Sequence, residues 1–260
     1  MAEKVLIQNK DLYEKEYHIS SFLTNTRGKL GLYALLNLLQ DIAHFHANLL
    51  GLGYEEMVAK KTFWVLTRQK LVMTKWPNWE DCIHIKTWVR ISASAFTNRD
   101  FAIYLNGEKI GEATTSWMTL DADTRRPKSV DYKELFSNLN HPEKIVLEDE
   151  KIIAEKTEQE TLAEFKVRNS DIDQNNHVNN TKYAQWVLDA IPFKNHHEYD
   201  LTSYSINFVA ETKLNDIVKI QNGPRINEYE NSFETQFQGL RAADGKIVFL
   251  AKLGAKKINA

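Results

Sequence analysis

The chain has 260 residues, enough for one large domain or two modest ones. Its apolar fraction of 43% and charged fraction of 26% are those of an ordinary globular protein, and a formal net charge of −2 excludes a global basic field for nucleic acid. One cysteine, Cys82, excludes a disulfide framework within the chain and fits a reducing compartment.

No apolar run approaches the ~18 residues that suggest a transmembrane helix. The start, MAEKVLIQNKDLYEKEY, has neither a signal-peptide core nor the Ser/Arg-rich text of a transit peptide. The expected location is cytoplasmic. The first strong helix is GLYALLNLLQDIAHFHANLLGLG, apolar on much more than one face and so expected to be buried on most sides. Gly51 sits where a C-terminal glycine cap belongs. Strand-like text follows: FWVLTRQKLVM, DCIHIKTWVRI, RDFAIYLNG and EATTSWMTLDA, the last pair joined at a hairpin signal, Asn106-Gly107. The segment HPEKIVLEDEKIIAEKTEQE is charged, contains Pro142, and reads as a linker or covering strand.

Then the order restarts. AEFKVRN is a strand, a polar stretch follows, and NTKYAQWVLDAIP is a helix with Tyr183, Trp186, Val187 and Ala190 on one face. Asn179 or Asn180 can cap it, and Pro192 follows its end. Four more strands come after: SYSINFVAE, DIVKIQNG, SFETQFQGL and KIVFLAKLGAKKI. The expected organisation is a first domain at 1–136, a linker at 137–160 and a second domain at 161–260. Thr26 is placed opposite Asp173, Gly28 opposite Asn175, and Leu30 opposite His177, so the polar groups belong to the second copy alone. A helix against a curved antiparallel sheet is the hot-dog arrangement, and two in tandem make an α+β double hot dog.

The polar stretch is SDIDQNNHVNN, residues 170–180. One reading is local: Asn, Asp and Ser favour turns and caps because their side chains bond nearby backbone. A calcium loop fails, because Asn176 stands where the loop needs Gly and Lys182 where it needs Glu. The pairs His44/His46 and His196/His197 are spaced wrongly for a metal on one helical face, and no metal site is expected. A catalytic reading is that Asp173, Asn175 and His177 alternate and, in an extended segment, project from one side. They then lie just before a helix N-terminus, a location suited to an oxyanion. The residues alone leave the local and catalytic readings open.

DIDQNNHVNNTKYAQWVLDAIP closely resembles the catalytic motif of the acyl-acyl carrier protein thioesterases of plants and bacteria. LLQDIAHFHANLLGLG, WVLTRQKLVM, RDFAIY and TSWMTLDADTRRPKSV extend the resemblance over most of the chain. The resemblance implies a double hot-dog fold that hydrolyses a fatty acyl thioester on acyl carrier protein and releases free fatty acid. The family's Asp-x-Asn-x-His maps onto Asp173, Asn175 and His177, and its further carboxylate onto Glu211 in INFVAETKLNDIV. Some plant members carry a cysteine just after that glutamate; here the position is Thr212, so a cysteine nucleophile is not expected, and Cys82 reads as structural. The expected roles are Glu211 as base on water, His177 tuning or relaying the proton, and Asp173 fixing His177 or Asn175. Asn175 and backbone N–H groups at the second helix start would polarise the carbonyl. A covalent variant with Asp173 or Glu211 attacking stays open. The family's acyl slot lies in the first domain, with Leu35, Leu39, Ala43, Trp64, Leu66 and Trp117 as candidates, though core packing is the commoner role for each. Arg99, Arg125, Arg126 and Lys128 are candidates to meet the acidic carrier, with a solvated turn the alternative for DADTRRPK.

Rival readings are an acyl-CoA thioesterase, a non-catalytic acyl-binding protein, and a dehydratase, for which TSYSIN supplies no matching motif. GLGYEE is not a dinucleotide loop, since Glu56 fills the third glycine position. No cofactor is expected. Edge-to-edge sheet pairing is expected within the chain, with a homodimer as the further assembly considered.

Overall fold

The computed structural model describes residues 4–90, 96–128, 139, 147–154, 159–229 and 231–258. The chain divides into two compact units, residues 1–149 and 150–260. Of the expected linker, residues 137, 138, 140–146 and 155–158 lie outside the described residues.

The first unit holds strands β1 (Lys4–Gln8), β2 (Tyr13–His18), β3 (Thr62–Met73), β4 (Cys82–Arg90), β5 (Thr97–Leu105) and β6 (Glu108–Asp121). They pair antiparallel in the order β1-β2-β4-β5-β6-β3. Helix α1 (Leu32–Leu49) lies on β2 and β4, and a short α2 (Tyr54–Ala59) follows. Leu35, Leu39 and Ile42 are buried to 1% or less, as an all-round apolar helix requires. Gly51, at φ +69°, ends α1: its N–H donates to the Asn48 carbonyl, and the Leu52 N–H to that of Ala47. This is the paired closure that a glycine at that position permits. Asn106 (φ 51°) and Gly107 (φ 81°) form the expected two-residue hairpin.

Sequence reading assigned no strand to residues 4–18. The reason lies in β2, where Glu14 and Lys15 are as buried as Tyr13 and Tyr17, hiding the alternation. The Lys15 ammonium sits 2.9 Å from Asp41 and over the rings of Tyr17 and Phe45. Its charge is thus matched where its stem is buried.

The second unit repeats the plan with β7 (Glu160–Lys166), β8 (Tyr199–Phe208), β9 (Ile217–Tyr229), β10 (Ser232–Arg241) and β11 (Ile247–Lys257), in the order β8-β11-β10-β9-β7. Helix α3 (Asn180–Asp189) has 10 residues against the 18 of α1, and α4 (Phe193–Glu198) restarts after Pro192. Proline has no N–H to continue the ladder, so the second helix is shorter than the first. Tyr183 of α3 meets Phe208 of β8 and Phe249 of β11 edge-on, each at 5.4 Å, and Trp186 stacks on Phe165 of β7. β9 runs past the expected end at Gly223; the β10 ladder skips from Asn222 to Arg225, so Pro224 falls in a bulge that needs no N–H. Glu150–Ile153 docks on this unit's own sheet: the Ile152 N–H donates to Asn207 Oδ1 at 2.7 Å and Gln236 Nε2 to the Ile153 carbonyl at 2.8 Å. Each unit sets a main helix, α1 or α3, against an antiparallel sheet, and the fold is a tandem hot dog.

Candidate active site

The polar stretch folds into a closed loop between a single helical turn at Asn169–Asp171 and α3. Ile172 pairs with Val178 across it. The Asp173 N–H donates to the His177 carbonyl at 2.8 Å. Asp173 Oδ1 accepts from the N–H groups of Asn175 (2.8 Å) and His177 (3.4 Å). Asn176 turns the chain at φ +61°. The segment is therefore not extended, and alternation is not what brings its residues together. Asp173 fixes the backbone of Asn175 and His177, and Asn175 stands exposed near the loop's tip.

Two other polar groups are structural. Asp171 is buried, accepts the Arg168 N–H at 2.8 Å and lies 3.6 Å from Lys182 Nζ. Asn179 is the N-cap of α3, its Oδ1 accepting from the Thr181 N–H at 3.0 Å. The N–H groups of Val178, Asn179 and Lys182 donate to the carbonyls of Thr212, Asp171 and Asn179. With Thr181 capped as well, these donors are committed. Four main-chain N–H groups at this helix start, those of Val178, Asn179, Thr181 and Lys182, are thus taken up within the protein.

The same loop exists in the first unit. A single turn at Ser21–Leu23 precedes it, Thr24 pairs with Leu30, and Gly28 turns at φ +68°. The Asn25 N–H donates to the Lys29 carbonyl at 2.7 Å, and Asn25 Oδ1 accepts from the N–H groups of Arg27 (2.9 Å) and Lys29 (3.2 Å). Bond for bond, Asn25 matches Asp173, Arg27 matches Asn175 and Lys29 matches His177. The expected register, Thr26 to Asp173, is displaced by one residue. The shared signal was a left-handed position, Gly28 and Asn176, not the polar motif. The match extends to the loop after the next strand: Leu30 N–H donates to the Pro77 carbonyl as Val178 N–H does to that of Thr212. Trp76 thus takes the place of Glu211. One scaffold carries Lys29 and Trp76 in the first unit and His177 and Glu211 in the second.

In the second unit His177 Nε2 and Glu211 Oε2 lie 3.6 Å apart, with side chains 23% and 41% exposed, so both are reachable from outside. Thr212 is fully buried, and its hydroxyl accepts from Tyr183 Oη at 3.0 Å. Burial pushes the Tyr183 phenol up to about 12, which keeps it a donor. The structure brings Asp173, His177 and Glu211 together through the facing loops 172–178 and 209–216, with Asn175 exposed on the first. Sequence reading missed Tyr183 and Arg241, whose Nη1 donates to the Glu211 carbonyl at 2.9 Å.

Other expected residues fall as follows. Leu35, Leu39, Ala43 and Leu66 are buried core; Trp64 donates its indole N–H to the Leu52 carbonyl and Trp117 to Thr115 Oγ1. Arg99 is buried, so it is not available to a carrier protein: Nη1 lies 2.8 Å from His46 Nδ1 and 3.2 Å from Thr87 Oγ1. Lys128 is held by Asp121 at 3.1 Å, and Arg125 lies over the Phe63 ring, while Arg126 is exposed. Asp121 Oδ1 accepts from Asp123 and Thr124, which makes DADTRRPK a self-bonded turn. Burial, with Glu16 beside it, pushes the Cys82 thiol up to about 11, away from thiolate chemistry. Among the described residues no group of three His, Cys, Asp or Glu side chains is placed to hold a metal ion, and no helix is long and apolar enough to cross a membrane.

Comparison with known proteins follows the same two units. The sequence profile of the acyl-ACP thioesterase N-terminal domain matches residues 10–138, and that of the C-terminal domain residues 154–253. The chain is 26% identical over 250 residues to an oleoyl-acyl carrier protein thioesterase of Coriandrum sativum, covering 88% of this chain and 68% of that one. It is also 26% identical over 228 residues to a palmitoyl-acyl carrier protein thioesterase of Gossypium hirsutum, covering 82% of this chain and 55% of that one. The chain thus spans between about half and two thirds of these relatives' length. The solved structure of an acyl-ACP thioesterase from Bacteroides thetaiotaomicron shares the fold with a TM-score of 0.82 at 24% identity, covering 96% of this chain and all of that one.

Proposed function

Since the chain belongs to the acyl-ACP thioesterase family, whose named members are thioester hydrolases, we propose that it hydrolyses fatty acyl thioesters on acyl carrier protein. The observation that carries the reading is the His177–Glu211 pair, 3.6 Å apart and open to solvent at the meeting of two hydrogen-bonded loops. Glu211 takes a proton from water as the water oxygen bonds to the thioester carbon. The carbonyl becomes an oxyanion, polarised by the Asn175 side-chain amide. Collapse breaks the carbon–sulfur bond. The thiolate leaves with the carrier and takes a proton through His177, and the acyl group leaves as free fatty acid. A thiolate is a good leaving group, so no covalent intermediate is required. Asp173 shapes the loop that presents Asn175 and His177.

In this reading the reaction ends acyl elongation on the carrier, and it takes place in the cytoplasm, as one free cysteine suits. Arg125 and Arg126 are the remaining candidates for carrier contact. Relatives named for oleoyl and palmitoyl carriers match equally at 26%, so chain length is left to experiment. The test is a panel of fatty acyl groups presented on acyl carrier protein and, in parallel, on coenzyme A. The proposal expects equimolar free thiol and fatty acid, formed faster from the carrier. Faster turnover of the coenzyme A series contradicts the carrier assignment, and no release from either series contradicts the reaction.

A further inference from the structure

We infer that Arg241 is a positioning residue for Glu211, locked in place by Asp244; the inference rests on the thioesterase reading above. Glu211 lies in an irregular loop, where no ladder holds its backbone. Its carbonyl oxygen accepts a hydrogen bond from Arg241 Nη1 at 2.9 Å. The other face of the same guanidinium is taken by Asp244, with Nε to Oδ1 at 3.0 Å and Nη2 to Oδ2 at 2.7 Å. That two-point grip fixes the plane of the guanidinium and so aims Nη1. The arginine side chain is 20% exposed, and Asp244 sits in the β10–β11 turn, with Gly245 at φ +68°. The Glu211–Thr212 link is thus held from three sides: Arg241 on the Glu211 carbonyl, Tyr183 on the Thr212 hydroxyl, and the Val178 N–H on the Thr212 carbonyl.

The comparison within the chain separates a positioning role from a general structural one. In the first unit, where Trp76 stands in place of Glu211, β5 ends on Leu105 and turns through Asn106-Gly107. That copy ends its strand on Leu105, a side chain with no group to donate, where β10 ends on Arg241. The arginine stands in the unit that has a carboxylate to aim.

The experiment is a double-mutant cycle on the carrier thioester, using Arg241→Met, Glu211→Gln and the pair, with Arg241→Lys and Asp244→Asn alongside. Thermal unfolding of each variant is recorded. Arg241→Met is expected to lower kcat by about 10- to 100-fold with KM little changed, the scale of a misplacement near 1 Å. In the Glu211→Gln background the same change is expected to cost less than about twofold, because its route to the reaction is already gone. Asp244→Asn is expected to fall between, and Arg241→Lys to recover part of the loss. An equal fold-loss in both backgrounds, a loss confined to KM, or no loss overturns the inference and leaves the thioesterase reading standing. If Glu211→Gln itself retains full kcat, the role given to Glu211 falls, and this inference with it. A crystal structure of Arg241→Met decides without substrate: Glu211 displaced from His177 supports the clamp, and an unmoved carboxylate overturns it. Should Arg241→Met fail to fold, Asp244→Asn carries the cycle.

Discussion

The loop oxygen that gathers two main-chain N–H groups is a carboxylate at Asp173 and a carboxamide at Asn25. Since both shapes serve the same turn, Asp173→Asn is expected to leave stability within about 0.5 kcal/mol of wild type. Asp173→Ala removes the acceptor and is expected to cost about 1 kcal/mol, read by denaturant unfolding. Kinetics of the Asn variant then report the charge alone. His177, Asn175 and Asp173 were legible as a motif, and Glu211 through family resemblance. Arg241 and Tyr183 were not, because each acts across about 30 residues of chain: Arg241 on a main-chain carbonyl, and Tyr183 on a buried threonine hydroxyl. Neither partner leaves a mark in residue spacing. The one-residue slip in the expected register has the same origin: the turn-forming pairs Asn25/Asp173 and Gly28/Asn176 set the alignment, and polarity does not.

At the scale of elements, α3 carries the site by its start and its first turn. Removing its cap with Asn179→Ala is expected to cost about 1 kcal/mol. Tyr183→Phe leaves the fully buried Thr212 hydroxyl without its donor and is expected to destabilise by about 1–3 kcal/mol, whereas Tyr183→Phe with Thr212→Val is expected to recover much of that. Denaturant midpoints of the three variants check this; a double variant no better than Tyr183→Phe speaks against the Tyr183–Thr212 bond as the cause. Elements with a clean period were readable: the apolar α1, its Gly51 terminus, and the Asn106-Gly107 hairpin. β2 was not, since Glu14 on one face and Lys15 on the other are both buried, which hides the alternation. The far half of β9 was not either, since a bulge admits Pro224 into a strand that text alone would end.

Across the whole molecule, two copies of one plan differ in what they bury. The first unit encloses His46 and Arg99. Because an arginine only donates, His46 Nδ1 must accept, and His46 Nε2 then donates to the Lys10 carbonyl at 3.1 Å. Burial, then the Arg99 charge, hold this imidazole down to about 3, from an ordinary value of 6.5. The unfolded chain binds the proton first as pH falls. The stabilisation is therefore full above pH 6.5 and is lost between 6.5 and about 3, at about 1.4 kcal/mol per pH unit. His46→Gln keeps an acceptor and a donor but does not titrate, and is expected to flatten that slope in urea unfolding; an unchanged slope contradicts the assignment. The two-copy plan itself was visible in the order of strands and helices, but the scaffold shared by the two loops was visible only in their hydrogen bonds. The central claim is that His177 and Glu211 act together on the thioester. The direct measurement is kcat on one carrier-bound acyl group for wild type, His177→Ala and Glu211→Gln, each shown to be folded. The account predicts falls of about 10²- to 10⁴-fold for each single variant, and a combined loss smaller than their product. Either single variant turning over within a few-fold of wild type contradicts it.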